Sequence, residues 1–194
     1  MSKIRFFMKF LSSPNTIGAI WPSSPGLCRA MISGINIEQL DSVIELGGGT
    51  GVITRCIADS VMPNAAVISI ELDARLAADI QRNLPRITVV NDSAINLRQI
   101  LDNYNLKNAS AIVSGLPWAI FPDKLQTDIL DAIMQNLAPD GFFTTFAYVQ
   151  GTYLPAGRRF RKYLHQRFNS VETSPVIWRN LPPAFVYRCS KVKL

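Results

Sequence analysis

The sequence has few residues of the kinds that bind metals or form disulfides. Its 194 residues include one histidine, His165, and three cysteines, Cys28, Cys56 and Cys189. An odd number of widely spaced cysteines matches neither a disulfide framework nor a zinc motif. One histidine argues against a histidine-based metal site. We therefore expect no metal site, and the cysteine usage favours a reducing compartment.

The sequence also has no long apolar segment. No stretch reaches the ~18 uninterrupted apolar residues of a membrane-spanning helix. Near the N-terminus, Lys9 interrupts the apolar run of residues 6–11, which argues against a signal peptide. We expect a cytoplasmic chain that folds as one domain over residues 1–194, because 48% apolar and 18% charged residues suit a single core.

Acidic residues are scarce at both ends of the chain. Residues 1–37 carry four basic and no acidic side chains, and residues 157–194 carry nine basic and one acidic. The middle, residues 38–156, carries seven basic and thirteen acidic side chains, so the net charge of +6 hides this segregation. The pattern predicts a catalytic core flanked by segments that meet an anionic surface. Solubility alone would not require the charges to be segregated.

The hydrophobic pattern predicts helices first and then an alternating α/β arrangement. Residues 3–12 predict an amphipathic helix, and a second helix is expected from the Ser24 cap to about Ser33. Further helices are predicted at residues 51–59, 74–83 (capped by Asp73), 94–101 and from Pro122 to 137. Short apolar strands are predicted at residues 42–46, 66–71, 87–90, 111–114 and 142–149, the last after a turn at 139–141. Residues 170–192 predict two more strands, so we expect a mainly parallel seven-stranded sheet with an antiparallel C-terminal edge.

A glycine-rich turn follows the first predicted strand. Gly47, Gly49 and Gly51 have the spacing G-x-G-x-G, with Glu45 two residues before the first of them. Glycines in such a turn let the backbone approach a ligand closely. A dinucleotide fingerprint would need glycine at position 52, where the chain has Val52, and an ordinary tight turn is the plain alternative. The motif resembles the first motif of class I methyltransferases, which use S-adenosylmethionine (SAM) and have a Rossmann-like fold.

That resemblance implies a SAM site at the carboxyl ends of the strands, where open parallel sheets bind ligands. The glycine loop, with Glu45 and Thr50, would hold the methionine part of SAM. Glu71, followed by Leu72, would accept hydrogen bonds from the ribose hydroxyls. Asp92, with Ser93 beside it, would accept from the adenine amino group, and a helix cap is its alternative interpretation.

The fourth strand end reads Ser114-Gly115-Leu116-Pro117-Trp118. It resembles the short Asn/Asp/Ser-x-Pro-aromatic motif of methyltransferases that act on exocyclic amines. The resemblance implies that Ser114, Gly115 and Leu116 orient the nucleophilic nitrogen, that Ser114 also contacts SAM, and that Trp118 flanks the amine. The Trp118 ring would suit a cationic centre. A buried tryptophan that supports the loop is an equal alternative.

Two further segments resemble a narrower family over nearly the whole chain. Residues 17–24, Ile-Gly-Ala-Ile-Trp-Pro-Ser-Ser, and residues 178–187, Trp-Arg-Asn-Leu-Pro-Pro-Ala-Phe-Val-Tyr, are similar to segments of bacterial phospholipid N-methyltransferases. That family methylates phosphatidylethanolamine toward phosphatidylcholine. The resemblance implies a lipid amine N-methyltransferase, and we place further SAM contacts at Ser23 and Ser24.

The expected substrate residues follow from this interpretation. Because the sulfonium of SAM is already activated, positioning should matter more than acid–base catalysis. We expect Tyr148 to flank the amine together with Trp118. Arg179 would pair with the lipid phosphate, since a guanidinium suits that geometry, and a structural ion pair is its alternative.

Residues 1–37 are interpreted as membrane-binding or lid helices. The residues expected to contact an anionic membrane surface are Lys3, Arg5, Phe6, Phe7, Lys9 and Phe10. A lid packed on the core is the alternative for this helix. The basic cluster at residues 158–167 is interpreted as adding to the attraction to the membrane, and a solvated helix face is its alternative. We expect a peripheral protein on the inner face of the membrane, and a monomer.

Three other functions compete with this interpretation. An RNA adenine N6-dimethylase shares the fold and a similar fourth-strand motif, but members of that family usually carry an additional C-terminal helical domain, where this chain predicts strands. A small-molecule methyltransferase would leave the apolar first helix unexplained. A non-catalytic membrane-binding or RNA-binding protein would have no need of the glycine loop with Glu71 and Asp92.

Overall fold

The computed structural model describes residues 23–192. The predicted helix at residues 3–12, with its expected membrane contacts Lys3, Arg5, Phe6, Phe7, Lys9 and Phe10, lies outside the described residues. The strands are β1 Ser42–Leu46, β2 Ala66–Glu71, β3 Thr88–Asn91, β4 Ala109–Ser114, β5 Leu137–Tyr148, β6 Phe168–Thr173 and β7 Ala184–Val192. The helices are α1 Pro25–Ile32, α2 Val52–Ala58, α3 Ala74–Asn83, α4 Leu97–Asn103, α5 Asp123–Asn136 and α6 Pro155–Arg167.

The seven strands form one sheet in the order β3-β2-β1-β4-β5-β7-β6. The first five strands are parallel, and β7 lies antiparallel between β5 and β6. The chain runs outward from β1 to β3 and then crosses back to β4 on the other side of β1. This reversal is a topological switch point, the place where open α/β sheets bind ligands. The predicted mainly parallel sheet with an antiparallel edge is confirmed.

Two apolar cores cover the faces of the sheet. One contains α4, α5 and α6 residues, including Leu101, Ile133 and Phe160, and the other contains residues of α1, α2 and α3. The central strand β1 is buried along its whole length, as expected for a parallel strand that is covered on both faces. None of the helices described within residues 23–192 has the length and apolar character needed to cross a lipid bilayer.

Most predicted element bounds agree with the structure. The bounds of β1, β2 and α3 are as predicted, and β3 lies one residue further along the chain. The predicted helix at 94–101 divides into a short 3-10 turn, Ala94–Asn96, and α4. The predicted turn at 139–141 falls inside β5, where the pairing with β4 jumps from Leu137 opposite Ala109 to Phe142 opposite Ala111. The turn is therefore a local irregularity in a strand that begins five residues before the predicted start at 142.

Candidate active site

Backbone hydrogen bonds join the carboxyl ends of three neighbouring strands. The amide of Gly47, directly after β1, donates to the carbonyl oxygen of Ile70 in β2 at 2.8 Å. The amide of Gly115, directly after β4, donates to the carbonyl oxygen of Leu46 in β1 at 2.8 Å. A Cβ on Gly115 would lie only 2.7 Å from the carbonyl oxygen of Gly47. The glycine loop, predicted to hold the cofactor, and residues 114–118, predicted to hold the amine, are therefore in direct backbone contact. Residues 114–118 are called the acceptor turn below.

The glycine loop has one open side and one crowded side. A Cβ built on Gly49, which has a φ of +54°, would have no heavy atom within 4 Å. A Cβ on Gly48 would lie 2.5 Å from Oγ of Ser69 and 2.7 Å from Cδ1 of Ile80. Gly48 was missing from the predicted site, although the run of three glycines was the available signal. The loop thus needs glycine at 48 for packing, while Gly49 faces the space in which a ligand would lie.

Glu45 lies behind the glycine loop. Its side chain is 0% exposed, and its Oε2 accepts hydrogen bonds from Oγ1 of Thr54 at 2.6 Å and from Oγ of Ser69 at 2.5 Å. Oε1 has no partner among the described residues. Burial raises the pKa of Glu45 to about 7, against the opposing effect of the two hydroxyl donors. The carboxyl is therefore bonded to α2 and β2 inside the protein, and the predicted contact between Glu45 and SAM stays a prediction.

Glu71 connects the glycine loop to the start of α3. Its carboxylate is 4% exposed; Oε2 accepts from the amide of Gly49 and Oε1 from the amide of Asp73, both at 2.8 Å. Each oxygen keeps a second lone pair that could accept from a ribose hydroxyl. Asp73 accepts from two amides in the first turn of α3, so its predicted role as a helix cap is confirmed.

The end of β3 places Asp92 beside the end of β2. Oδ1 of Asp92 accepts from the amide of Ser93 at 2.6 Å and from Nδ2 of Asn96 at 2.8 Å. Ser93, rather than Asp92, caps the following turn. Nδ2 of Asn91 donates to the carbonyl oxygens of Glu71 and Leu72, at 2.9 and 3.0 Å. Asn91, which the sequence analysis did not single out, therefore fixes the distance between the two acidic strand ends.

Ser114 and Trp118 are buried supports of the acceptor turn. Oγ of Ser114 accepts from the amide of Leu116 at 3.3 Å and from Nε1 of Trp118 at 3.2 Å. Nε1 also donates to Oγ1 of Thr145, whose hydroxyl donates to the Ser114 carbonyl oxygen. The Trp118 side chain is 3% exposed and stacks on Phe160 with a centroid separation of 4.3 Å.

This geometry bears on two residues that were predicted to contact the amine, Ser114 and Trp118, and both contacts stay predictions. Ser114 has both its hydroxyl and its carbonyl oxygen engaged by protein groups, and the ring of Trp118 faces the core, which is the alternative that the sequence left open. Leu116 packs against Gly47, since a Cβ added to Gly47 would lie 2.8 Å from Cδ2 of Leu116. Among residues 23–192, nothing donates a hydrogen bond to the carbonyl oxygen of Gly115. Within the described residues 114–118, that carbonyl oxygen therefore has no hydrogen-bond donor from the protein.

The remaining predicted residues lie on the same edge of the sheet. Tyr148, half-buried, ends β5, and burial raises the pKa of its phenol. Arg179 is exposed in the loop between β6 and β7, with no ion pair in the described part of the chain. The Ser24 hydroxyl caps α1 by accepting from the amide of Leu27, and the Ser24 amide donates to Oδ1 of Asn180 at 3.0 Å. Ser23 precedes this cap. The two segments that resemble phospholipid N-methyltransferases are thus joined through Ser24 and Asn180, and among residues 23–192 neither serine is hydrogen-bonded to the glycine loop.

These residues fit SAM. The open side of Gly49, the buried carboxylate of Glu71 and the adjacent Asp92 supply a close backbone approach and two acceptors in the order in which SAM presents its parts. Among solved structures, the O-methyltransferase of Bacillus cereus in complex with SAH has the same fold, with a TM-score of 0.71 and 13% identity over 97% of this chain and 90% of that one. The fold and the site define a class I SAM-dependent methyltransferase, an enzyme whose cofactor is SAM.

Sequence comparisons place the chain more narrowly. The profile of the protein-L-isoaspartate(D-aspartate) O-methyltransferase family matches residues 7–99, a range that ends before β4 and so includes none of the acceptor turn. The ornithine lipid N-methyltransferase of Singulisphaera acidiphila is 38% identical over 97% of this chain and 95% of its own length. The ribosomal RNA small subunit methyltransferase A of Streptococcus pneumoniae is 28% identical over 54% of this chain and 37% of its own length. The protein belongs to the methyltransferase family that includes the Singulisphaera enzyme.

Proposed function

We propose that the protein transfers methyl groups from SAM to the amine of a zwitterionic lipid headgroup at the inner surface of a membrane. The observation that carries this proposal is the similarity to ornithine lipid N-methyltransferase along nearly the whole of both chains. Ornithine and phosphatidylethanolamine headgroups both present a primary amine. Both are therefore acceptors in the proposal, and phosphatidylethanolamine is the one implied by the sequence motifs.

The acceptor turn suits a reaction that depends on positioning. SAM supplies a methyl group activated by its sulfonium, so the acceptor needs a correctly directed lone pair more than a strong base. In the proposal, the Gly115 carbonyl oxygen accepts an N–H of the neutral amine and so fixes the direction of that lone pair. Ser114 and Trp118 hold the turn from behind, and Tyr148 lines the same edge. The amine gives up its proton to water before it attacks.

An exposed apolar rim supports a reaction at a lipid surface. The rim is defined by four large exposed side chains on the carboxyl edge of the sheet: Tyr153, Leu154, Trp178 and Leu181. Its two segments are joined by a 2.9 Å hydrogen bond from the amide of Val149 to the carbonyl oxygen of Pro183. Tryptophan and tyrosine favour the membrane interface, and Arg179, within the rim, would add ~1 kcal/mol on an anionic leaflet.

RNA methylation is the second candidate, because the ribosomal RNA methyltransferase of S. pneumoniae matches about half of the chain. This chain spans 37% of that relative's length, and the described chain continues after the acceptor turn into β6 and β7. Because the match covers only part of both chains, RNA ranks second to lipid, and it is tested beside lipid.

The test is a transfer assay with labelled SAM and three separate acceptors. These are anionic vesicles with phosphatidylethanolamine, anionic vesicles with ornithine lipid, and structured RNA. We expect label in the lipid extract of one or both vesicle samples and none in the RNA. Label in RNA alone would overturn the proposal in favour of the second candidate. SAM binding without transfer to any of the three would contradict the lipid function and leave the methyltransferase class intact.

A further inference from the structure

A cleft of about 380 Å³ opens beside the acceptor edge of the molecule. It lies between the 3-10 turn Val149–Tyr153, the first turns of α6 and strand β7. The residues that line it are Thr152, Tyr153, Gly157, Arg158, Arg161 and Tyr187. Two of the six are arginines and none is acidic, so the cleft has the charge of an anion site.

The two arginines of the cleft differ from their neighbours on α6. Arg159 forms an ion pair with Asp123 at 3.1 Å, and Arg167 forms one with Asp131 at 2.7 Å, so both are engaged by α5. Arg158 and Arg161 are exposed, and neither has a carboxylate partner within residues 23–192. The structure therefore divides a run of basic residues into one set that holds two helices together and one set that faces the cleft.

A tyrosine that is almost fully buried also lines the cleft. Tyr187 is 3% exposed, and its ring packs against Phe160 and Phe185 at centroid separations of 6.3 and 5.0 Å. In the described part of the chain its hydroxyl makes no hydrogen bond. Burial raises the pKa of Tyr187, and the nearby charge of Arg161 opposes that shift. A neutral phenol beside two guanidinium groups is a third donor for an anion.

The cleft is one layer away from the acceptor turn. A Cβ on Gly157 would overlap the carbonyl oxygen of Gly151, so α6 begins in tight contact with the 3-10 turn before it. A Cβ on Gly151 would in turn lie 3.1 Å from Cβ of Ala119. Ala119 follows Pro117 and Trp118 of the acceptor turn directly. Close contacts through Gly151 and Ala119 therefore join the wall of the cleft to the 3-10 turn Trp118–Ile120, which directly follows the segment proposed to hold the amine.

We propose that this cleft binds the oxyanion of the zwitterionic headgroup whose amine is methylated, with Arg158, Arg161 and Tyr187 as its donors. The inference rests on the proposed function, because the amine is placed at the Gly115 turn. The shared ligand chemistry is a phosphate diester or a carboxylate, the anionic group of phosphatidylethanolamine or of an ornithine headgroup. The site is distinct from Arg179, which belongs to the exposed rim.

The test compares Arg158→Gln/Arg161→Gln with Lys162→Gln, which also removes positive charge from an exposed position of α6 but lies outside the cleft. Lipid is presented in neutral mixed micelles, so that general attraction to an anionic surface does not contribute. For the lipid that is methylated, we expect the double variant to raise KM about tenfold or more with little change in kcat. Tyr187→Phe should raise KM about threefold. Lys162→Gln should match the wild type, and equal KM values for all four proteins would overturn the proposal.

A binding measurement separates this proposal from the lipid function. Titration calorimetry with glycerophosphoethanolamine and with N-acetylornithine tests the phosphate and the carboxylate separately, without turnover. Binding of either compound that is lost in the double variant and kept in Lys162→Gln supports the cleft, even if no lipid is methylated. Lipid methylation with unchanged headgroup binding and KM in the double variant would reject the cleft and leave the lipid function standing. SAM affinity should be the same in all variants.

Discussion

The amide of Gly49 donates a 2.8 Å hydrogen bond to Oε2 of Glu71, so one buried carboxylate fixes the open part of the glycine loop. The same side chain is the one that the sequence predicts for the ribose hydroxyls. The group predicted to bind the ribose thus also sets the geometry of the loop, and its other oxygen is held by the amide of Asp73.

Replacement of Glu71 should affect the cofactor. We expect Glu71→Gln to weaken SAM binding about tenfold or more, because a charged acceptor of two amides is lost together with a ribose acceptor. Calorimetric titration with SAM measures the effect. Asp79→Asn, at an exposed position of α3, is the control and should bind SAM like the wild type. Equal affinity of Glu71→Gln and wild type would remove Glu71 from the cofactor site.

The burial of Glu45 should make stability depend on pH. Burial raises the pKa of its carboxyl from 4.5 to about 7 in the folded protein, so the folded state holds the proton more tightly than the unfolded state. The stability that this group contributes is present below pH 4.5 and is lost as the pH rises through about 7. The loss should reach at most about 3 kcal/mol.

Urea unfolding between pH 4.5 and 8 tests this dependence. Glu45→Gln should remove much of the slope, because the amide stays neutral and can still accept from Ser69 and Thr54. Glu38→Gln, at an exposed position, should keep the wild-type slope. A slope that survives in Glu45→Gln would assign the pH dependence to other groups.

The glycine loop gives a pair of contrasting substitutions. Gly48→Ala should destabilise the fold by about 1–3 kcal/mol, because its methyl group would collide with Ser69 and Ile80. Gly49→Ala meets no atom, so it should cost only the strain of a positive φ, about 1 kcal/mol. Its methyl group would fill the open side of the loop, and we expect the larger loss of SAM affinity in Gly49→Ala. Thermal unfolding measures the stability of both variants, and titration with SAM measures their affinity. Equal SAM affinity in Gly49→Ala and wild type would count against the cofactor site.

Trp118 should matter for stability. Trp118→Phe keeps an aromatic ring in the core but removes the Nε1 donor to Ser114 and Thr145, which should cost about 1–3 kcal/mol. Trp178→Phe is the matched control, since that side chain is 71% exposed and its loss should leave stability unchanged. Denaturant unfolding compares the two. If Trp178→Phe were destabilised and Trp118→Phe were not, Trp118 would not be the buried side chain that supports the acceptor turn.

The apolar rim should contribute to vesicle binding. We expect Trp178→Ser/Leu181→Ser to lower the partition coefficient onto anionic vesicles about tenfold or more, because two large apolar side chains would no longer enter the interface. Co-sedimentation with vesicles measures it, and Met62→Ser, an exposed apolar residue outside the rim, serves as the control. SAM affinity should not change in either protein. Unchanged co-sedimentation of the rim variant would mean that the protein binds lipid through another surface.

The strands and helices around the glycine loop could be predicted from the sequence because their signals are local. Strands β1 and β2 are short and mostly apolar, and Asp73 caps α3 within a few residues of Glu71. The positions of Ser114 and Trp118 could not be predicted, since they depend on Thr145 and Phe160, which lie far along the chain. A tryptophan after a turn has the same local sequence whether it faces a substrate or a core.

The roles of the basic residues of α6 could not be predicted from the sequence either. Four arginines lie between residues 158 and 167, and the sequence alone does not separate those that bind another helix from those that face a cleft. The separation follows from where α5 places Asp123 and Asp131. Long-range packing, which no local pattern encodes, therefore decides which charges are available to a ligand.

The bond between the amide of Ser24 and Oδ1 of Asn180 joins residues that are 156 positions apart, whereas the strand ends that carry Gly49, Glu71 and Asp92 lie in one short stretch of chain. The predicted cofactor residues are thus close together in the sequence, whereas the contact between Ser24 and Asn180 joins its two ends. In the proposed function, substitutions near the two ends of the chain would change the choice of acceptor while the cofactor half keeps its structure. The two halves of the proposed reaction would then be encoded in separate parts of the sequence.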